Sequence, residues 1–574
     1  MYINNPLMHL IKNIKFPVFL MIGSVLISII GSLFQLLLPL FTQHLIDDFS
    51  EFIKNKQYLF IFITVILLGA VLNGISTFLL TKIGESIIYS LIKNVWLHIL
   101  KLSPSFFDKN ENGQLLSRIT DDSNIINNFV TQTIPTFFPA FITLLGSTIF
   151  LFVLDWKTAI VALLTIPLYV LLILPLSNIM QRISYQTQLE TAKLSGVISH
   201  VLSEIKLVKT SNTELREFNN ALSRLKKIYS LGIKEGTINA VVTPITTLIL
   251  LISMGGVLAF GGFRVSSGAI SPGTLIAIIF YLMQLTDPIE NIADIFTGYK
   301  KTQGASTRLT EIMAEKEEDL DFSENPQTII PSSITFENVS FSYTKDNPVL
   351  KNCTFTIPEN KVTALVGPSG SGKTTIFNLI SRFYKIELGS IIYGENSIYD
   401  YSLVDWRNHI GYVMQNNGVI NGTIKKNICY PLKYKPEISE ISYYSKLANA
   451  DLFIKSFKNN YNTMTGETGV QLSGGEKQRL DITRNFIKKP GLLLLDEITA
   501  NLDSESEDSI QKAISSISQE RTTVIIAHRL STVLKADKII FLDNGEITGM
   551  DTHENLIKSH EKYRRMIELQ KLDF

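Results

Sequence analysis

Val362-Thr363-Ala364-Leu365-Val366-Gly367-Pro368-Ser369-Gly370-Ser371-Gly372-Lys373-Thr374-Thr375 decides the reading of this chain. It begins as a β-branched strand and passes into the spacing G-x-x-x-x-G-K-[ST], which opens a helix. Such a loop bends tightly, so its backbone N–H groups and the helix N-terminus face phosphate oxygens. Lys373 would reach the β- and γ-phosphates, and the Thr374 hydroxyl would ligate Mg²⁺. The alternative is a Gly/Ser-rich turn of no function, and the strand-to-helix context argues against it.

Downstream, Gly491–Leu495 reads as a buried strand that ends in two acids, Asp496 and Glu497. Asp496 could hold Mg²⁺ through water, and Glu497 is placed to polarise an attacking water as general base. Gln415 follows the apolar Tyr412-Val413-Met414 and could touch the water on Mg²⁺. His528 ends the strand-like Ile525-Ile526-Ala527 and could contact a γ-phosphate. Tyr343 precedes the loop by a distance that suits an aromatic platform for adenine. Each of these three is also an ordinary packing residue when taken alone. Between the loop and the two acids stands Leu472-Ser473-Gly474-Gly475-Glu476.

The first half has a different composition. Six charge-free runs, Phe16–Ile46, Gln57–Thr81, Ser123–Leu154, Thr158–Gln181, Gly236–Phe263 and Val265–Thr286, are each long enough to cross about 30 Å of hydrocarbon as a helix. The first is too long for a cleavable signal peptide and lacks an A-x-A-like site. With the N-terminus inside, the inner segments carry 16 Lys and Arg and the outer loops only Lys54, Lys56, Lys157 and Arg264. That bias places the N-terminus and the second half in the cytoplasm, and the chain in the cell membrane as a multi-pass protein. The inner connections 82–122 and 182–235 have helical composition, so the spanning helices are expected to continue into the cytoplasm and turn there. The net charge of +1 offers no field for nucleic acid as a partner, and the two cysteines, Cys353 and Cys429, exclude a disulfide framework. The expected layout is a membrane domain over 1–301, an acidic linker over 302–332 and a nucleotide-binding domain over 333–574.

In order and spacing, Tyr343, the phosphate loop, Gln415, the signature 472–476, Asp496-Glu497, Ala500-Asn501-Leu502-Asp503 and His528 resemble the ATP-binding cassette (ABC) ATPases. The membrane half, with Phe106-Phe107-Asp108, Asp155-Trp156-Lys157 and Glu204-Ile205-Lys206, resembles the multidrug half-exporters of Gram-positive bacteria. Gly466-Glu467-Thr468-Gly469 resembles the exporter-specific loop that senses the cytoplasmic turns. The resemblance covers essentially the whole chain and implies an α-helical six-span membrane domain fused to an α/β P-loop ATPase. It implies ATP and Mg²⁺ as cofactors, a signature that meets nucleotide on the opposite chain through Ser473 and Gly475, and Asp503 as the D-loop acid. A homodimer follows from the intact site residues, with a heterodimer beside a degenerate partner as the alternative. Alternating-access export of amphipathic drugs or lipids is the implied function, with peptide or bacteriocin export as the other reading. Two departures stand out: Glu476 where Gln is commoner, and Ala500-Asn501 in place of Ser-Ala.

Asp287, Glu290 and Asp294 share one helical face at the end of the sixth run. Carboxylates at that depth are costly unless they face water or a partner. Either they form an acidic vestibule for cationic amphipathic substrates, or they are a salt-bridged helix end at the inner interface.

Overall fold

Charge-free sequence folds here into long helices, because in hydrocarbon only a helix satisfies its own backbone. The helices of the first half, long ones and the six-residue α3, α4, α5 and α8 alike, are α1 (Val18–Asp47), α2 (Lys56–Leu100), α3 (Pro104–Lys109), α4 (Asn112–Ser117), α5 (Ser123–Asn128), α6 (Ile134–Leu163), α7 (Thr165–Ser203), α8 (Ile205–Thr210), α9 (Glu214–Ser266), α10 (Pro272–Gln284) and α11 (Thr286–Met313). The computed structural model describes residues 7, 10, 18–49, 55–110, 112–320, 328–344, 347–466, 469, 471–496, 512, 514, 521–527 and 529–572. The chain divides into two compact units: Met1–Trp96 with Leu115–Ala314, and Leu97–Gln114 with Glu315–Phe574.

In the first unit, small residues let helices approach closely, as membrane packing requires. A Cβ on Gly31 of α1 would stand 2.6 Å from the Asn73 Oδ1 of α2, and one on Gly146 of α6 would stand 2.2 Å from Leu36 Cδ1. Leu36, Leu151, Ala159, Val257, Ile278 and Tyr281 form a buried core, in which the Tyr281 hydroxyl donates to Leu36 O at 2.6 Å. Large apolar side chains such as Phe19, Phe60, Val153 and Phe263 point outward. That is the inverse of a water-soluble surface.

Among the described residues, four helical stretches are long and apolar enough to cross a membrane: Val18–Asp47, Lys56–Leu100, Leu115–Leu163 and Glu214–Ser266. The remaining two expected spans fold with other boundaries. Asp155 leaves the helical region (φ −159°, ψ 103°), where Arg264 grips its carboxylate with two bonds of 2.7 and 3.1 Å, yet α6 resumes and runs to Leu163 before α7 begins. The helix of the sixth expected span does not start at Val265 but seven residues later, at Pro272. The chain turns at Ser267–Ile270, with Gly268 at φ +70°, and Ser271 Oγ then accepts the Thr274 N–H while Pro272 fills the first helical position. The resulting α10 has 13 residues, and after Leu285, itself in right-handed helical conformation, the helix continues as α11. α11 runs past residue 302 to Met313, because Thr302, Ala305, Ser306, Leu309, Thr310 and Ile312 repeat at helical spacing and are buried.

The second unit holds two sheets. Antiparallel β1 (Ile334–Ser342), β2 (Pro348–Ile357), β4 (Leu388–Tyr393) and β5 (Asn396–Ser397) are ordered β2-β1-β4-β5. The larger sheet is ordered β10-β9-β3-β8-β7-β6, from β3 (Val362–Val366), β6 (Ile410–Val413), β7 (Leu492–Asp496), β8 (Thr522–Ile526), β9 (Lys538–Asp543) and β10 (Glu546–Asp551). It is parallel except for its edge strand β10. The near-continuous Val, Ile and Leu of its strands follow from burial on both faces. Around it lie α12 (Lys373–Ile380), α13 (Leu403–His409), α14 (Ile424–Ile428), α15 (Ile438–Leu447), α16 (Asp451–Ser456), α17 (Gly474–Ile487), α18 (Leu530–Val533), α19 (His553–Ser559) and α20 (Glu561–Leu572).

Candidate nucleotide site

Parallel sheets gather ligands at the carboxyl ends of their strands, and the phosphate loop, Gln415 and Asp496 lie there. β3, inside the sheet between β8 and β9, delivers the chain into Gly367-Pro368-Ser369-Gly370-Ser371-Gly372, and α12 begins at Lys373. Gly367, Gly370 and Gly372 take φ of +153°, +78° and +107°, which only glycine adopts freely. A Cβ on Gly367 would lie 2.0 Å from Leu542 O, so the loop passes directly against β9.

The loop borders a cavity of about 360 Å³ lined by Tyr343, Val349, Ser369, Gly370, Gly372, Lys373, Thr374, Thr375 and Ile526. Lys373 folds over its own loop, donating from Nζ to Gly367 O at 2.9 Å and to Pro368 O at 2.8 Å. Thr374 is exposed, while Ser371 Oγ is buried with no hydrogen-bond partner among the described residues. A left-handed glycine loop, a helix N-terminus, Lys373 and the exposed Thr374 around one cavity are a donor set that fits a nucleotide's phosphates.

Tyr343 stands at the cavity's rim. Its hydroxyl donates to Thr375 Oγ1 at 3.2 Å, and its ring meets Tyr384 edge-on at 4.9 Å between centroids. Tyr384 in turn donates to Asp108 of α3 at 2.5 Å. Sequence alone did not single out Tyr384, because its partners are distant in the chain. The same unit ties Glu317 to His98 (2.7 Å) and Lys101 (3.2 Å), while Arg407 grips Glu318 through two bonds of 2.7 Å.

Asp496 ends β7, which is paired with β8 on one side and β6 on the other, and is buried. Burial first, and the charge of Asp496 second, push the Tyr412 hydroxyl above its ordinary pKa. Gln415 lies just past β6 and is exposed. Glu497, Asp503 and His528 lie outside the described residues, as do Glu467 and Thr468 of the loop before the signature.

The signature opens α17. Leu472 is buried and Ser473 is the N-cap, with Gly474 and Gly475 in the first turn. Glu476 closes a capping box: its Oε2 accepts the Ser473 N–H at 2.7 Å and the Ser473 hydroxyl at 2.9 Å. Asp287 is exposed on the first turn of α11, whereas the side chains of Glu290 and Asp294 lie outside the described residues.

Residues 21–289 match the family described as ABC transporter transmembrane region, and residues 350–500 match the one described as ABC transporter. A multidrug resistance ABC transporter ATP-binding and permease protein of Lactococcus lactis subsp. cremoris is 34% identical over 98% of this chain and 95% of its own. The chain belongs to the ABC transporter family. Its similarity to an ATP-dependent lipid A-core flippase of Syntrophus aciditrophicus is 33% identity, covering 95% of this chain and 90% of that one. The human ABC-type oligopeptide transporter ABCB9 is 31% identical over 99% of this chain and 74% of its own. A solved bacterial Atm1-family ABC exporter with ATP bound superposes with a TM-score of 0.81 at 25% identity, covering 96% of this chain and 98% of that one. This ABC half-transporter therefore joins a transmembrane region and a nucleotide-binding ATPase in one chain, and it hydrolyses ATP to drive transport.

Proposed function

We propose that two copies of this chain form an exporter of amphipathic molecules that works by alternating access, with six spans per copy and both ATPase domains in the cytoplasm. The membrane domain is assigned to the first half and the nucleotide-binding domain to 333–574. The observation that carries the reading is the phosphate cradle of Gly367–Thr375 in the same chain as four apolar helices of membrane-crossing length.

In this reading Tyr343 receives the adenine, and the backbone of the loop, Lys373 and Thr375 receive the phosphates. Mg²⁺ bound with ATP would neutralise charge between the phosphates; Thr374, Gln415 and Asp496 would hold it. Among the described residues no three His, Cys, Asp or Glu side chains form a metal site of their own, in keeping with an ion that arrives with phosphate oxygens as its main ligands. Glu497 is assigned as the general base for water, and His528 as a contact to the γ-phosphate. Ser473 and Gly475 complete the site of the opposite copy, beside Asp503. Positioning and electrostatics carry most of such phosphoryl transfer.

The named relatives divide among drugs, a lipid and oligopeptides, and the substrate of this chain is placed among amphipathic compounds. The exposed carboxylate of Asp287, with Glu290 and Asp294 on the same face, favours cationic ones. The test is the purified chain in lipid vesicles, its ATPase and uptake measured against cationic dyes, neutral dyes, peptides and lipids. Stimulation by cationic dyes that Asp287→Asn weakens, with neutral dyes unaffected, is the expected result. Stimulation confined to peptides would establish a dedicated peptide exporter instead, and equal loss for cationic and neutral dyes would remove the acidic face.

A further inference from the structure

The loop that carries Gln415 is fastened to the signature helix. Two charged side chains of α17 do this, the buried Asp481 and the half-buried Arg484. Asp481 is 4% exposed, and the nearby backbone N–H of Met414 draws its carboxyl pKa down. Asp481 accepts from Arg484 Nη1 at 3.1 Å and from Asn485 Nδ2 at 3.5 Å. Arg484 donates from Nη1 to Gly418 O at 2.8 Å and from Nε to Asn427 O at 2.9 Å. Its Nη2 reaches Asn427 Oδ1 at 3.2 Å. Asn427, fully buried, then closes the loop at Ile420, accepting its N–H and donating to its carbonyl, both at 2.9 Å. Gln415 thus sits between Met414, whose backbone lies beside Asp481, and Gly418, which Arg484 holds directly.

An ion pair in this position is an expensive way to hold a loop. Burial pushes the Asp481 carboxyl up to about 6, although Arg484 and the Met414 N–H draw it down. Apolar residues of similar size would often be as stable as such a pair. What the pair supplies that they would not is direction, because Arg484 presents a rigid fork and Asp481 fixes it.

We propose that Asp481 and Arg484 are positioning residues for Gln415: they make its loop move as one body with the signature helix, so that Gln415 engages its own chain's nucleotide when the signature engages the other chain's. The loop then joins two half-sites that belong to different nucleotides, and hydrolysis at one is tied to the docking of the other. This rests on the reading of Gln415 as a contact to the water on Mg²⁺.

The test is a double-mutant cycle on the purified full-length chain in lipid, reading kcat and the KM for ATP. Asp481→Asn keeps the volume and loses the charge-assisted bonds. It should lower kcat about tenfold, the scale of one lost hydrogen bond to a charged group, and leave KM within about twofold. Gln415→Ala should lower kcat comparably, and the double variant should be no slower than Gln415→Ala alone, because both remove one interaction. Multiplying losses in the double variant, with Gln415→Ala itself slow, would overturn the positioning role. A normal kcat in Gln415→Ala would overturn the earlier reading of Gln415 instead, and the proposal with it. Should Asp481→Asn fail to fold, Arg484→Lys keeps the charge without the fork and enters the same cycle with the same expectations.

Discussion

Glu476 adds a negative charge at the N-terminus of α17, where the proposed function needs a γ-phosphate to dock. Its carboxylate accepts both the N–H and the hydroxyl of Ser473, which are donors an incoming phosphate would use. Glu476→Gln retains a capping-box residue and removes only the charge. The half-saturating ATP concentration should therefore fall about two- to fivefold, the scale of one charge at a helix end. An unchanged or raised value in steady-state ATPase assays would show that the carboxylate does not compete with phosphate. At this scale the phosphate loop was fully legible, because its geometry is local: a strand, three glycines and a lysine within one short stretch. Tyr384 and Asp481 were not. Each takes its role from a partner far along the chain, Asp108 and Met414, and no local pattern marks that pairing.

Among the elements, paired charges tie the stretch that follows α11 to its neighbours, Glu317 to His98 and Lys101 and Glu318 to α13. Arg407 of α13 holds Glu318 with two bonds of 2.7 Å, donates to Ser381 O at 3.3 Å and Arg382 O at 3.1 Å just beyond α12, and stacks on Phe383. Arg407→Ala leaves a largely buried carboxylate and two carbonyls without their donor. It should destabilise this domain by about 2 kcal/mol, measured by denaturant unfolding of the nucleotide-free protein followed at Trp406. A change below about 0.5 kcal/mol would make the contact an ordinary surface pair. Element boundaries were less legible than element types. The apolar run from Val265 concealed a Ser271-Pro272 helix start, because a cap is two polar or ring residues inside an otherwise uniform stretch. The polar stripe from Thr302 to Thr310 read as linker, although its Thr and Ser side chains are buried along α11.

At the scale of the molecule, the proposed dimer has each signature serve the opposite chain, so that one chain alone has no complete site. Lys373 and Ser473 belong to one chain but, in the proposed dimer, to different nucleotides. The most direct measurement is a titration of Lys373→Ala chains into normal chains, co-reconstituted in lipid vesicles, with ATPase read at each mixing ratio. The account predicts that the unmixed normal chain hydrolyses ATP cooperatively, and that activity falls more steeply than the fraction of normal chains. A strictly proportional fall would contradict the shared site, and a pure normal chain with no activity would contradict the homodimer in favour of an unlike partner.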